Sequence, residues 1–361
     1  MLSDKYIILL AFGCSFIITY LAIPKIIHFA NKLRLHDNPG ERASHKGRIP
    51  VFGGVAIFSG IIFSLLLGIA CSYGSATESI IAEKTNLILF VLVSLIIVFF
   101  LGIIDDLLSL SPFRKLLGQI LSVLIIIYLA DIRIENMHAV LGFNEPLSNS
   151  ASTLFTIFTV IVIINGYNLI DGIDGLAAGI GIIAGISFGW LSYINQEFHF
   201  VIICSALVGS LIAFLRFNFH PARIFMGDTG SLVIGLILSV LAINQVDAGI
   251  VNTTPSYPHK GPLLAIGILA IPLFDSLRVF ILRVLKKKNP LSPDRNHFHH
   301  TLLDLGFNHR STTFVIYIIT ILMLVLTYFL INVNINYGIT IIALVNFLIL
   351  IIPFIILRNK K

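Results

Sequence analysis

Long apolar runs, separated by short polar segments, dominate the sequence. Residues 87–104 form one such run, which is eighteen residues long and has Ser94 as its only polar side chain. A mean hydropathy of +0.97 over 361 residues exceeds what one soluble domain of this size can bury. Because a bilayer core of about 30 Å requires roughly 20 apolar residues per helix, the pattern predicts an integral membrane protein.

The number of apolar runs sets the predicted fold class, an all-α, polytopic membrane protein with about eleven transmembrane helices. The centres of the runs lie near residues 15, 60, 96, 123, 160, 185, 207, 238, 272, 322 and 347. No low-complexity stretch or clear internal repeat interrupts them. Residues 1–361 are therefore predicted to form a single membrane-embedded domain.

The basic residues predict which loops face the cytoplasm. Eleven crossings divide the loops into two sets, and one set contains only four of the 24 Lys and Arg residues, namely Lys5, Lys84, Arg133 and Lys260. The positive-inside rule makes the other set cytoplasmic, with the N-terminus outside and the C-terminus in the cytoplasm. The cytoplasmic loops carry nearly every unusual polar residue, and they span residues 31–50, 105–115, 168–175, 216–231 and 286–312.

The same asymmetry accounts for the formal net charge of +6 without nucleic acid. The chain has no basic patch with interleaved aromatic residues, so nucleic-acid binding is not expected. Cys14, Cys71 and Cys204 lie in or beside apolar runs without paired spacing. They indicate neither a disulfide framework nor a metal site.

Asp105 and Asp106 end the apolar run of residues 87–104. Carboxylates this close to hydrocarbon are costly, and adjacent ones repel unless a cation lies beside them. The pair suits a magnesium-bound diphosphate or a proton-accepting base. Solvated loop acids are the structural alternative.

Residues 168–176 form a more specific motif, in which Asn168, Asp171 and Asp174 recur at every third position. Gly172 and Gly175 allow the backbone to turn tightly between two helices. Three oxygen-bearing side chains on one face can bind a hydrated cation or a nucleobase. A polar turn between helices is the alternative.

Residues 218–231 form the third polar patch, and they include Asn218, Phe225 and Asp228. Asp228 precedes an apolar helix, where free amides and the helix dipole favour phosphate. An ordinary N-cap is a serious alternative for Asp228. Phe225 is predicted either to stack on a base or to anchor the chain at the interface.

Three histidines, His297, His299 and His300, lie within four residues of the last cytoplasmic loop. Histidines beside Arg and Lys can donate to phosphate oxygens or transfer protons. A zinc site is the competing interpretation, although no cysteine is nearby.

Two further charged features leave alternatives open. Lys46 belongs to a basic loop that fits either phosphate binding or an ordinary positive-inside segment. Asp275 and Arg278 are three residues apart within the ninth apolar run, and we interpret them as a structural ion pair on one helix face.

Taken in order, these motifs resemble the polyprenyl-phosphate N-acetylhexosamine-1-phosphate transferases, a family that includes phospho-N-acetylmuramoyl-pentapeptide transferase. The resemblance covers essentially the whole chain. It is specific because the motifs follow the same order and lie on one side of the membrane. The matching features are His45-Lys46-Gly47 with Pro50 and Gly53-Gly54, Asp105-Asp106, residues 168–176, Phe225-Met226-Gly227-Asp228 with Gly230-Ser231, and His297 with His299-His300.

The resemblance implies transfer of a sugar 1-phosphate from a UDP-N-acetylhexosamine to undecaprenyl phosphate, with release of UMP. It also implies a multi-pass protein of the bacterial inner (plasma) membrane whose active site faces the cytoplasm. Mg²⁺ is the implied cofactor, and Mn²⁺ is expected to substitute for it. A homodimer is an assembly that the sequence leaves open.

The roles that the resemblance implies fall into three groups. The implied metal-binding residues are Asn168 and Asp228. The implied substrate-binding residues are Lys46, Asp171, Asp174, Asn218 and Phe225. The implied catalytic residues are Asp105, Asp106, His297, His299 and His300.

The histidine motif separates the branches of that family. This chain has His297-Phe298-His299-His300, where the peptidoglycan enzyme has three consecutive histidines, and Ile49 and Val51 replace its threonines. The chain therefore looks like the N-acetylglucosamine branch, which starts O-antigen, enterobacterial common antigen or teichoic acid synthesis. The peptidoglycan reaction is the alternative, and an ion-coupled transporter is disfavoured because the acids lie at one surface.

Overall fold

The computed structural model describes residues 4–33, 35–37, 49–72, 78–251, 260–287 and 297–360, most of which are helical. This confirms the predicted all-α class. The helices are α1 (Asp4–Leu33), α2 (Gly53–Ser72), α3 (Glu78–Leu108), α4 (Pro112–Tyr128), α5 (Asn149–Leu169), α6 (Leu176–Ile194), α7 (Phe198–Asn218), α8 (Gly227–Val251), α9 (Gly261–Ile268), α10 (Ala270–Leu285), α11 (Phe298–Asp304), α12 (His309–Phe329) and α13 (Ile335–Lys360).

Among the described residues, nine helices are long and apolar enough to cross a membrane, and α9 with α10 forms a tenth, broken span bent by 77°. All eleven predicted centres fall within helices. The fourth centre lies in α4, whose 17 residues extend about 26 Å, slightly less than a bilayer core. The protein is thus a multi-pass membrane protein, while the number of crossings and the orientation of the termini stay predictions.

Polar side chains join the helices inside the bundle. Thr19 of α1 and Ser210 of α7 are hydrogen-bonded at 2.9 Å, and Asn165 of α5 donates to Gln119 of α4 at 3.0 Å. Gly209 faces the backbone of α1, where a Cβ atom would overlap it. Small residues and buried hydrogen bonds drive helix association in lipid, since the hydrophobic effect contributes little between helices there.

Helix α8 lies at the centre of the bundle and α13 at its edge. In α8, 89% of the most apolar stretch is buried within the protein, compared with 22% in α13. Gly235 of α8 packs against the backbone of Ile164 in α5, where a Cβ atom would lie 2.8 Å from the Ile164 Cα. The start of α8, which carries Asp228, is therefore held from several sides.

A short backbone ladder fixes the start of α2 against the start of α8. Phe225 donates its N–H to the Pro50 carbonyl at 2.8 Å, and Gly53 donates to the Phe225 carbonyl at 2.9 Å. Gly54 donates to the Met226 carbonyl at 2.8 Å. Pro50 also belongs to a two-residue antiparallel pair, β1 (His36–Asp37) and β2 (Ile49–Pro50).

Replacing Gly54 with Ala is expected to lower the thermal stability of the detergent-solubilised protein. A Cβ atom at residue 54 would lie 2.6 Å from the Gly230 Cα and from the Thr229 carbonyl carbon, so backbone must move. Overpacking of this kind costs about 1–3 kcal/mol. The matched control is Gly13→Ala, because a Cβ there meets nothing within 4 Å. An equal Tm for the two variants would contradict this account of the α2–α8 contact.

Candidate active site

The start of α8 is capped by a carboxylate from another helix. Asp106, near the end of α3, accepts hydrogen bonds from the N–H groups of Asp228 (2.8 Å) and Thr229 (3.0 Å) and from the Thr229 hydroxyl (2.5 Å). The first amides of a helix lack intrahelical partners, and a negative charge complements the dipole there. The capping role that the sequence left open for Asp228 therefore belongs to Asp106.

Two glycines make this approach of α3 to α8 possible. Gly227 has a φ of +70°, and a Cβ atom there would lie 2.6 Å from the Asp106 carboxylate. A Cβ atom on Gly102 of α3 would lie 2.5 Å from the Thr229 Cα. Since neither position has room for a side chain, both glycines are needed to bring Asp106 onto the start of α8.

Replacing Asp106 with Ala is expected to destabilise the protein by about 1–2 kcal/mol, the usual cost of losing a helix cap. Turnover should also fall, because the Asp228 backbone loses the bond that fixes it. Asp106→Asn keeps an acceptor oxygen and should restore most of the stability. Thermal unfolding and initial rates of the three proteins test this, and a wild-type Tm for Asp106→Ala would rule out the capping role.

Lys115 bridges two of the predicted carboxylates. Its ammonium donates to Asp105 Oδ2 at 2.9 Å and to Asp228 Oδ2 at 2.5 Å. Asp105 Oδ1 accepts the Leu110 N–H at 2.6 Å, which fixes the turn between α3 and α4. Lys115 is mostly enclosed, with 15% of its side chain exposed, so loss of its ammonium would leave two enclosed carboxylates unbalanced.

Asn168, in the last turn of α5, holds the other side of Asp228. Its amide donates to Asp228 Oδ1 at 2.5 Å and to the Ser231 hydroxyl at 2.7 Å. Both oxygens of Asp228 are thus engaged, one by Asn168 and one by Lys115. The structure brings together Asn168, Asp228, Asp105 and Asp106 from three different helices.

Asp171 follows directly in the turn after α5. Burial raises the pKa of its carboxyl well above the usual range, and the nearby carboxylates of Asp228, Asp106 and Asp174 raise it further. A group of acids this close together favours binding of a cation, because the cation relieves their mutual repulsion. Asp171 therefore belongs to the same acidic site as Asp228.

Asp174 lies at the other end of the same turn, among histidines. Its carboxylate meets His220 Nδ1 at 2.6 Å and His309 Nδ1 at 3.6 Å, and it accepts the Ala222 N–H at 3.1 Å. Burial alone would raise the pKa of Asp174, but the hydrogen bonds from His309, His220 and Ala222 outweigh it and hold the pKa below its ordinary value. Asp174 is therefore a stable carboxylate.

Asn218 and Phe225 shape the loop that precedes α8. The Asn218 side chain is buried, accepts the Gly175 N–H at 2.9 Å and donates to the Ile224 carbonyl at 2.9 Å. This joins the turn after α5 to the segment that carries Phe225, whose ring is half-buried. Contacts of Asn218 and Phe225 with a nucleotide stay predictions.

The histidines of the last loop are positioned by Asp275. Asp275 meets His297 Nδ1 at 3.1 Å and accepts the Phe298 N–H at 3.2 Å. The predicted ion pair is also present, with 2.7 Å between Asp275 Oδ1 and Arg278 Nη2. The buried carboxylate of Asp275 thus contacts both Arg278 and the first turn of α11. Because that turn carries His299, Asp275 connects α10 to the histidines.

The histidines face the turn after α5. A Cβ atom on Gly172 would overlap the His299 ring, and the rings of His299 and His300 lie 4.2 Å apart between centroids. Burial, followed by the charge of His300, lowers the pKa of His299 well below its usual value, so the ring is neutral. Within the described residues, the Nε2 atoms of His297 and His299 are buried without a hydrogen-bond partner. Such atoms suit contact with a substrate.

A family comparison covers the part of the chain that contains most of these residues. The sequence model of glycosyl transferase family 4 matches residues 88–246, a stretch that contains Asp105, Asp171 and Asp228. A protein of Bacillus subtilis named "Probable undecaprenyl-phosphate N-acetylglucosaminyl 1-phosphate transferase" is 32% identical over 326 residues, which covers 88% of this chain and 84% of that protein. The chain belongs to glycosyl transferase family 4.

Other relatives of this family 4 chain carry similar names. A decaprenyl-phosphate N-acetylglucosaminephosphotransferase of Mycobacterium leprae is 31% identical over 84% of this chain and 78% of its own length. An undecaprenyl-phosphate alpha-N-acetylglucosaminyl 1-phosphate transferase of Escherichia coli K12 is 27% identical over 78% of this chain and 72% of its own length.

Several side chains of this family 4 site were not singled out from the sequence. Lys115 lies in the predicted cytoplasmic loop 105–115, and its position ten residues after Asp105, across a short turn, is a signal for their pairing. His220 and His309 gave no such signal, because they are 89 residues apart in sequence. Lys46 lies outside the described residues, and its role stays a prediction.

Proposed function

We propose that this protein transfers N-acetylglucosamine 1-phosphate from UDP-N-acetylglucosamine to undecaprenyl phosphate, releasing UMP and forming a lipid diphosphate sugar. The observation that carries the proposal is the Lys115 ammonium between Asp105 and Asp228, beside Asn168 and at the end of a membrane bundle. A lipid phosphate and a soluble sugar nucleotide meet at such a surface. The names of the relatives support the same reaction.

The donor set at the start of α8 fits Mg²⁺, which prefers oxygen ligands. The Lys115 ammonium marks a position where positive charge is stabilised by Asp105 and Asp228. We expect Asn168 and Asp228 to hold the ion, and Mn²⁺ to substitute for Mg²⁺. When bound, the ion would neutralise charge on the donor diphosphate.

The transfer needs mainly positioning and charge neutralisation. An oxygen of the lipid phosphate attacks the β-phosphorus of the UDP-sugar, and the bond from that phosphorus to the bridging oxygen breaks as UMP leaves. Asp105 is proposed to accept the proton of any monoanionic lipid phosphate, while Asp106 fixes the start of α8. Lys115, within reach of Asp105, is proposed to bind phosphate oxygens during the transfer.

The other predicted residues are assigned to the nucleotide and the phosphates. Asp174 and Phe225 are proposed to hold the uracil, with Asn218 supporting the loop between them. His297 and His299 are proposed to donate from their buried Nε2 atoms to phosphate oxygens, and His300 lies beside them. A neutral imidazole can donate from only one nitrogen, so the tautomer matters. The contact of Asp275 with His297 Nδ1 helps to fix the tautomer of His297.

We place the protein in the bacterial plasma membrane with this site facing the cytoplasm. Support comes from the positive-inside asymmetry of the loops, since Asp105, Asp171 and Asp228 lie on the side rich in Lys and Arg. The lipid diphosphate sugar would then be the first membrane-bound intermediate of a cell-envelope polysaccharide.

The donor sugar can be tested with purified protein, undecaprenyl phosphate and Mg²⁺. We expect labelled lipid and UMP from UDP-N-acetylglucosamine, with slower reaction from other UDP-acetamido sugars. Faster reaction with UDP-N-acetylmuramoyl-pentapeptide would assign the protein to the peptidoglycan branch instead. Solute uptake into proteoliposomes without any release of UMP would contradict transferase activity and favour a transporter.

A further inference from the structure

Three side chains with metal-binding atoms converge beside the turn after α5. Asp174 comes from that turn, His220 from the segment after α7, and His309 from the first turn of α12. One ligand atom from each lies within 4.8 Å of the other two. The cluster is separate from the predicted Mg²⁺ residues Asn168 and Asp228.

The spacing of these atoms approaches that around a four-coordinate ion. Tetrahedral zinc with ligands at about 2.0–2.1 Å places ligand atoms about 3.4 Å apart. His309 Nδ1 lies 3.6 Å from Asp174 Oδ1, which is nearly that distance, whereas His220 Nδ1 lies at hydrogen-bond distance, 2.6 Å, from Asp174 Oδ2 and would move apart from it when an ion enters. His220 is 38% exposed, whereas Asp174 and His309 are 7% and 14% exposed. Asp174 and His309 are thus enclosed, and the cluster is open to solvent on the side of His220.

The surrounding contacts hold the ligands in place. The Ala222 N–H donates to the Asp174 carboxylate at 3.1 Å, and Arg310 donates to the His220 carbonyl at 3.0 Å. Thr313, one turn after His309, donates to the Asp174 carbonyl at 3.0 Å. Contacts that fix the orientation of ligands raise the affinity of a site for its metal.

We propose that Asp174, His220 and His309 form a site for a first-row transition ion of the Zn²⁺ class. Two imidazoles and one carboxylate select against Mg²⁺, which keeps oxygen ligands, and leave a fourth position for water. The ion takes the place of the hydrogen bond between His220 Nδ1 and Asp174, so both atoms become available as ligands. The ion and the uracil then compete for Asp174, so the ion would regulate sugar 1-phosphate transfer. This part of the proposal rests on the proposed function.

The test uses full-length protein without a polyhistidine tag, stripped of metal and kept in excess Mg²⁺. Co²⁺ is the probe, since its visible absorption reports tetrahedral nitrogen and oxygen ligands, and added Zn²⁺ should remove the signal. We expect about one Co²⁺ per chain in the wild type. His28→Ala is the matched control, because His28 is exposed on α1.

The Co²⁺ signal is expected to disappear, or its affinity to fall at least about tenfold, in His220→Ala and His309→Ala. His309→Asn is a second variant that keeps a polar side chain at the start of α12. Unchanged Co²⁺ binding in these variants would overturn the site. Loss of the signal in His299→Ala, with His220→Ala unaffected, would also overturn it by assigning the ion to the other histidines.

Competition with UMP separately tests the claim that the ion and the uracil compete for Asp174. UMP is expected to weaken Co²⁺ binding in the wild type, and Co²⁺ is expected to weaken UMP binding by the same factor. Simultaneous, independent binding of both would overturn the competition. Failure of UMP to bind even without Co²⁺ would count against the proposed nucleotide function, whereas the Co²⁺ measurement stands by itself.

Discussion

Asp228→Asn is expected to lower sugar 1-phosphate transfer by at least about a thousandfold while the protein stays folded. Electrostatic groups that act on phosphoryl transfer contribute effects of about this size. The substitution keeps the shape of the side chain and its bond from Asn168, but removes the charge that faces Lys115. The loss of activity should therefore arise in the transfer reaction and not from unfolding.

Initial rates across a Mg²⁺ titration, measured together with Tm, check this prediction. Asp304→Asn is the matched control, because Asp304 is an exposed acid at the end of α11. If Asp228→Asn keeps more than about a tenth of the wild-type rate, Asp228 is not the proposed metal ligand. If both the rate and the Tm collapse, the role is structural instead.

Lys115→Met is expected to have the second largest effect. Removing one partner of an enclosed charge cluster costs about 3 kcal/mol, because Asp105 and Asp228 are left facing each other. Transfer should fall by about a hundredfold or more, since the ammonium no longer balances the phosphates. Mg²⁺ should raise the Tm of this variant more than that of the wild type, because the ion relieves the carboxylate repulsion.

Lys115→Arg is the control, since it keeps the charge while changing its shape. We expect it to retain the stability of the wild type and part of the activity. Thermal unfolding with and without Mg²⁺ separates the two roles of the side chain. An identical Mg²⁺ response in Lys115→Met and the wild type would contradict the proposed bridge between Asp105 and Asp228.

Hydropathy predicted the helices well because lipid imposes one rule on every span. Backbone groups must be satisfied within the helix, so an apolar run of sufficient length becomes a helix whatever its neighbours are. The prediction was weakest where tertiary packing intervenes. The ninth run is broken between α9 and α10, with a bend of 77°, and α4 has only 17 residues.

The acids were also foreseeable as a group, because carboxylates at the ends of apolar runs are costly. Their individual contacts were not. Asp106 caps α8, and Asp275 holds His297 in addition to Arg278, because helices that are distant in sequence meet there. Sequence spacing reports neighbours within one helix, whereas the pairing of Asp174 with His220 and His309 depends on how three segments pack.

The most direct test of the proposed function follows the phosphate that is attached to the sugar. Purified protein is incubated with undecaprenyl phosphate, Mg²⁺ and UDP-N-acetylglucosamine that carries ³²P in its β-phosphate. We predict that the label enters the lipid product and that unlabelled UMP is released in equal amount. Release of labelled UDP, with unlabelled sugar on the lipid, would contradict transfer of a sugar 1-phosphate.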